Sequence, residues 1–138
     1  MLYFSKTVTE KQARLMNPVV LAFVGDAVYT LFTRTKAAVG SDKKANELNR
    51  ESAKTVSAIA QAKRVDELLS VLTEEELSIF KRARNAKKST RAKNASVSQY
   101  HKSTGFEAVL GYLYLTGQNE RLSLLLREKE SEGTEDEN

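Results

Sequence analysis

The chain has 138 residues, with 22 lysines and arginines against 18 aspartates and glutamates, one histidine and no cysteine. That length corresponds to one domain with a core of ordinary size, and the missing cysteine excludes a disulfide framework and a cysteine-based zinc site. The single proline, the six glycines and the runs of Ala, Leu, Lys and Glu favour an all-helical protein, and with no apolar run of spanning length and no signal-peptide core in MLYFSKTVTEK, a soluble cytoplasmic protein is expected.

The net charge of +4 is unevenly spread. After Arg127 the tail holds six acids and one lysine, a net of −5, which leaves +9 on the body. The expected organisation is therefore a folded unit over 1–127 and an acidic, disordered tail over 128–138. A basic body of this kind points to a polyanion as partner.

In chain order, Thr9 to Met16 reads as a short amphipathic helix, with Thr9 and Gln12 at capping-box spacing. Asn17 and Pro18 open the next helix as cap and first-turn residue. From Val19 to Phe32 nearly every position is apolar, which predicts a helix buried most of the way round and terminated at Gly40. Asp26 is the only charged residue in that run. Asp is a poor interior helix residue, and a buried carboxylate without a partner either raises its own pKa or demands a cation. Two readings stand open at this point, an ion pair with a basic residue elsewhere and a hard-cation ligand on the floor of an active site.

Ser41 to Leu72 reads as helical with a break near Glu51–Ala53. Its apolar stripe of Val56, Ile59, Ala60, Val65, Leu68, Leu69 and Leu72 is a core face. Thr73-Glu74-Glu75-Glu76 is a second capping box and starts a helix through Phe80. A basic stretch of low hydrophobicity follows. The expected ending is a helical pair, Gly105 to Thr116 and Asn119 to about Glu130. No segment alternates as a strand does, so the predicted class is all-α, a compact helical bundle.

Glu107 is the only charged residue between Ser103 and Asn119. Its spacing from Thr104 is that of a capping box, which would make it structural. If the two apolar helices pack on each other, Asp26 and Glu107 converge, and two carboxylates in an apolar site repel unless a cation lies between them. Mg²⁺ accepts one or two carboxylates, several retained waters and phosphate oxygens, and there it would activate water and stabilise charge on a phosphodiester. Between Leu77 and Phe106 there is no acid at all; Lys81, Arg82, Arg84, Asn85, Lys87, Lys88, Arg91, Lys93 and Lys102 form a candidate phosphate-binding set. With few aromatics to stack on bases, such a set suits the backbone of a duplex. A solvated basic surface is the alternative. His101, between Tyr100 and Lys102, reads as a phosphate contact or a structural residue before it reads as a base.

LAFVGDAVYTL, with Phe23-Val24-Gly25-Asp26, resembles the signature helix of the ribonuclease III family, and TGFEAVLGYLYL, with Glu107, resembles its second motif. RARNAKK, SVSQYHKSTGFEA and the short chain are similar to the Mini-ribonuclease III branch, which has no separate double-stranded-RNA-binding domain. The resemblance covers roughly Leu15 to Leu126. It implies an all-helical endonuclease that works as a homodimer, with Asp26 and Glu107 as catalytic metal ligands for Mg²⁺ and paired cuts in double-stranded RNA. The implied substrate is a precursor of large-subunit (23S) ribosomal RNA, with a ribosomal protein bound to that RNA as an assisting partner. Three departures are visible. Val19 and Ala22 stand where the family has further glutamates, Thr104 stands where the second motif has an aspartate, and the branch's Arg-Gly-Arg-Asn element reads Arg82-Ala83-Arg84-Asn85. Glu47 aligns loosely with a further acid beside the metal ligands. Against the nuclease stand two other classes, a non-catalytic RNA- or ribosome-binding helical protein and a homodimeric scaffold.

Overall fold

The computed structural model describes residues 7–39, 47, 50, 58–86 and 96–127. Six α-helices are described, α1 (Glu10–Arg14), α2 (Pro18–Val39), α3 (Ala58–Leu68), α4 (Glu74–Arg84), α5 (Val97–Leu115) and α6 (Asn119–Leu126), with a 3₁₀ turn at Leu69–Val71 after α3. Among the described residues there is no strand, and no helix is long and apolar enough to cross a membrane. Glu47 and Arg50 are helical; the expected break at Glu51–Ala53 and the acidic tail lie outside the described residues.

The helix starts follow local chemistry. Thr9, Thr73 and Ser96 each accept from the backbone N–H three residues on, and Gln12, Glu76 and Gln99 reach back to the cap N–H, so each start satisfies two orphan donors. At α2, Asn17 Oδ1 accepts from Val19 N–H at 2.8 Å. The third box corrects the expectation for Glu107. The last long helix begins at Val97 rather than Gly105, so Thr104 and Glu107 lie inside α5 and cap nothing. At its far end Gly117, at φ 73°, takes the left-handed conformation that glycine tolerates. Gln118 N–H bonds Leu113 O and Gly117 N–H bonds Tyr114 O, the paired bonds of a Schellman ending. Val8 N–H donates to Leu115 O at 2.9 Å and ties the start of the described chain to this end.

The bundle is organised around α5, not around α2. From Ser103 to Leu113 every residue of α5 is buried except Glu107. α2, α3 and α4 pack around it, and Tyr29 meets Phe106 edge-on with centroids 5.3 Å apart. The α2 contact is the closest. A Cβ at position 25 would fall 1.7 Å from Glu107 O, and one at position 111 would fall 1.9 Å from Leu21 O. Only glycine lets the two backbones meet in this way.

α2 is not buried all round. Leu21, Ala22, Gly25, Val28, Tyr29 and Thr33 face the core, while Val20, Phe23, Ala27 and Leu31, at helical spacing, are exposed, Phe23 by 79%. The face of α3 keeps part of the expected stripe: Val65 is buried and Leu68 and Leu72 pack against the core. Gln61 and Ala62 are buried as well, Ile59 and Leu69 are exposed, and Val56 lies outside the described residues. α6 ends at Leu126, short of the expected Glu130.

Charge fixes α4. Arg121 donates to both oxygens of the buried Glu76 at 2.8 Å and to Val71 O at 2.6 Å. Burial alone would raise the Glu76 pKa, but the bonds from Arg121 and Thr73 outweigh it and hold the carboxyl below its ordinary 4.5. Glu75 accepts from Arg14 at 2.5 Å and from the Tyr112 hydroxyl; burial and that carboxylate push the Tyr112 pKa up to about 12.

Two outcomes follow from this packing. Gly111→Ala forces a methyl into Leu21 O and lowers the unfolding free energy by roughly 3 kcal/mol, read from the urea midpoint. Because the folded pKa of Glu76 is depressed, its stabilisation is complete above the unfolded value and disappears as pH falls through the folded one. The stability gap between the wild type and Glu76→Gln is therefore constant above about pH 5 and closes in more acid, as thermal melts across pH would record.

Candidate active site

The two lone acids sit at one end of the glycine seam. Gly25 meets the carbonyl of Glu107 itself, and Asp26 is the next residue of α2. Both acid-bearing positions therefore lie at the Gly25–Glu107 end of the close approach of α2 and α5, with Gly111 and Leu21 at the other. Glu107 is half-buried and is the one interruption in the buried run of α5. Asp26 corrects the expectation of a buried carboxylate. It is exposed, on the side of α2 next to Phe23 and Ala27. The reason is rotational, since Gly25 and Ala22 take the core-facing positions and the following residue turns outward by 100°.

Thr104 supplies no third ligand. It is 3% exposed, and its hydroxyl donates to Tyr100 O at 3.1 Å. Among the described residues no three His, Cys, Asp or Glu side chains gather as a metal cage. The acid-bearing positions at the crossing are Asp26 and Glu107, one on each of two neighbouring helices. Such hard oxygen donors suit a small divalent cation that retains most of its waters. Glu47 is helical and exposed.

Several members of the basic set have partners within the chain. Arg82 donates to Arg14 O at 2.8 Å and Met16 O at 3.3 Å, closing the carbonyl end of α1. Arg84 lies over the Phe80 ring, 5.6 Å from its centroid, and donates to Asn85 Oδ1 at 3.2 Å. Lys102 pairs with Asp66 at 2.8 Å across α5 and α3. Lys81 and Asn85 are exposed. Lys87, Lys88, Arg91 and Lys93 lie outside the described residues. Ala83 is fully buried in ordinary helix, so the branch's glycine is not required at this position. His101 is half-buried, edge-on to Tyr100 at 6.0 Å.

A ribonuclease III domain model matches residues 19–118, which spans both acid-bearing helices. The chain belongs to the ribonuclease III family. It is 42% identical over 126 residues to a Mini-ribonuclease 3 of Clostridium tetani, covering 91% of this chain and 83% of that one. It is 48% identical over 114 residues to a Mini-ribonuclease 3 of Streptococcus pneumoniae, covering 81% and 89% respectively. A crystal structure of a Fusobacterium nucleatum protein superposes with a TM-score of 0.77 at 29% identity, over 82% of this chain and 92% of that one. The chain is accordingly an endoribonuclease of the kind that acts on double-stranded RNA, on the all-α fold of its family.

Sequence reasoning missed two features at this site. The exposed apolar row on α2 reads as core, because hydrophobicity does not say what will cover a face. Gln61, 0% exposed, lies in a stretch whose apolar residues suggested another face.

Proposed function

We propose that the chain hydrolyses phosphodiester bonds in both strands of an RNA duplex with Mg²⁺ as cofactor, acting as a homodimer with one site per subunit. We further propose a duplexed precursor of 23S ribosomal RNA as its substrate, with a ribosomal protein on that RNA as an assisting partner. What supports the reading most is the Gly25–Glu107 backbone contact, which puts the only acid of each apolar helix beside the same crossing.

Asp26 and Glu107 would hold the metal, with Asp26 open to solvent and to substrate and Glu107 set into the bundle. Mg²⁺ bound there supplies charge stabilisation to the phosphate and lowers the pKa of a water. The chain's own part is to fix two carboxylates on backbones that cannot slide apart and to bring cationic side chains to the duplex. Lys81, exposed on α4, is a described member of the basic set for that task; Arg82, Arg84, Asn85 and Lys102 belong to the same proposed set and also have partners within the chain, and Lys87, Lys88, Arg91 and Lys93 complete it. Phosphate contacts of this kind orient a duplex without reading its sequence.

The homodimer is supported by the α2 row. Phe23, Val20 and Leu31 are 79%, 44% and 51% exposed, and a large ring left in water on a helix face is the mark of a surface that another chain covers. The row lies next to Asp26, so two copies meeting there would bring their sites close enough to address opposite strands.

Asp26→Asn and Glu107→Gln each reduce cleavage of a labelled perfect RNA duplex in Mg²⁺ by more than about 100-fold, while folding and low-salt RNA binding persist. Near wild-type cutting by Asp26→Asn would defeat the assignment; bound but intact duplex with the wild type would favour a binding protein. Phe23→Asp yields a folded monomer in sedimentation equilibrium, and an unchanged dimer would remove α2 from the interface.

A further inference from the structure

Gln61 is fully buried on α3. Its Oε1 accepts from the hydroxyl of Ser103 on α5, itself 6% exposed. Its Nε2 is enclosed, with no hydrogen-bond partner among the described residues. A buried amide with one end unmatched is costly, and folded interiors contain few. Turning the amide over exchanges the unmatched end and removes nothing. Ala62 and Val65 are buried beside it on α3, and an apolar side chain of Gln61's length would avoid the cost. Stability therefore gives no reason for glutamine here.

Its position gives one. Ser103 lies one helical turn before Glu107, on the same face of α5. Helical side chains lean toward the N-terminus of their helix, so the Glu107 side chain extends back over the turn that contains Ser103. Two polar side chains occupy that turn. Thr104 is committed to Tyr100 O, and Ser103 to Gln61. Among the described residues, Gln61 Nε2 is a buried donor beside that turn that has no partner of its own. We propose that Gln61 is a positioning residue for Glu107: anchored on Ser103, its unmatched amide becomes the donor to the Glu107 carboxylate when that carboxylate turns to a cation shared with Asp26. The proposal rests on the reading of Glu107 as a metal ligand. Ligating carboxylates are commonly held in this way by a hydrogen-bond donor behind them.

The test is Gln61→Met, which conserves volume; in it the Ser103 hydroxyl can donate to the carbonyl four residues back, as Thr104 does. Gln61→Leu provides a second case. Three quantities are measured on each folded variant: the melting temperature without metal, Mg²⁺ affinity by calorimetry without RNA, and duplex affinity in EDTA. The expected result is an unchanged or higher melting temperature, Mg²⁺ affinity weakened about tenfold and unaltered duplex affinity in EDTA. Unchanged Mg²⁺ affinity in the variants overturns the proposal, whatever happens to stability. A parallel fall in metal-free duplex affinity also overturns it, because the damage is then general. Glu107→Gln run alongside separates the two readings. If it leaves Mg²⁺ affinity at the wild-type value, the metal-ligand reading of Glu107 has failed, and the proposal about Gln61 fails with it; if it abolishes affinity while Gln61→Met does not, only the proposal about Gln61 has failed.

Discussion

Two backbones touching without side chains between them is the constraint on which the rest of this structure depends. Helices ordinarily pack 8–10 Å apart, with side chains filling the gap. At Gly25 and Gly111 the gap is gone, and any Cβ would overlap a carbonyl oxygen. Side-chain packing admits alternatives, because rotamers can exchange and cores can repack. Backbone against backbone admits almost none. The register of α2 on α5 is therefore set to within a fraction of a residue, and with it the relative placement of residues 26 and 107. The same contact forces α5 deep into the bundle, which explains why its sequence around Glu107 is so uniformly apolar.

Around that crossing the charged residues do more structural work than the net charge suggests. Arg82 closes the end of α1, Arg84 covers Phe80, and Arg121 joins α6 to Glu76 and to the carbonyl of Val71. Arg64 donates to Leu125 O at 3.0 Å and to Arg127 O, closing α6. Short helices leave many carbonyls unpaired, and a guanidinium with five donors in a fixed fork is well suited to collect them. In a bundle with helices of five and eight residues, part of the basic composition answers to the fold and only the remainder to a polyanion.

The sequence told unequal amounts about unequal things. Helical class, the two threonine capping boxes and the Asn17–Pro18 start were legible because they rest on interactions within four residues. Ser96 and Gln99 formed an equally legible box, but the basic run before it and the polar, weakly apolar residues after it resemble a loop, and the start of α5 was expected at Gly105. Asp26 and Glu107 stood out as lone charges in apolar helices, and the resemblance to ribonuclease III connected them. Their environments were not legible. Burial of position 26 depends on which neighbour faces the core, and Gly25, with no side chain, carries no hydrophobic signal despite lying where a Cβ would overlap the Glu107 carbonyl. Phe23 fails for the opposite reason, as its hydrophobicity is real but is not satisfied within one chain. Gln61 could not have been found by periodicity at all, since a buried polar residue is defined by a partner forty-two positions away.

The bond from Val8 N–H to Leu115 O also determines where the beginning of the described chain emerges. Residue 115 is eight positions beyond Glu107 on a continuous helix, about 12 Å along its axis at 1.5 Å per residue. The Ser96 end, where the basic segment enters, lies on the other side of Glu107. A fluorophore placed at Thr7 would thus ride on a fixed post near the acids, on the side away from that entry. Its signal would report directly on whether the start of the described chain stays joined to the end of α5.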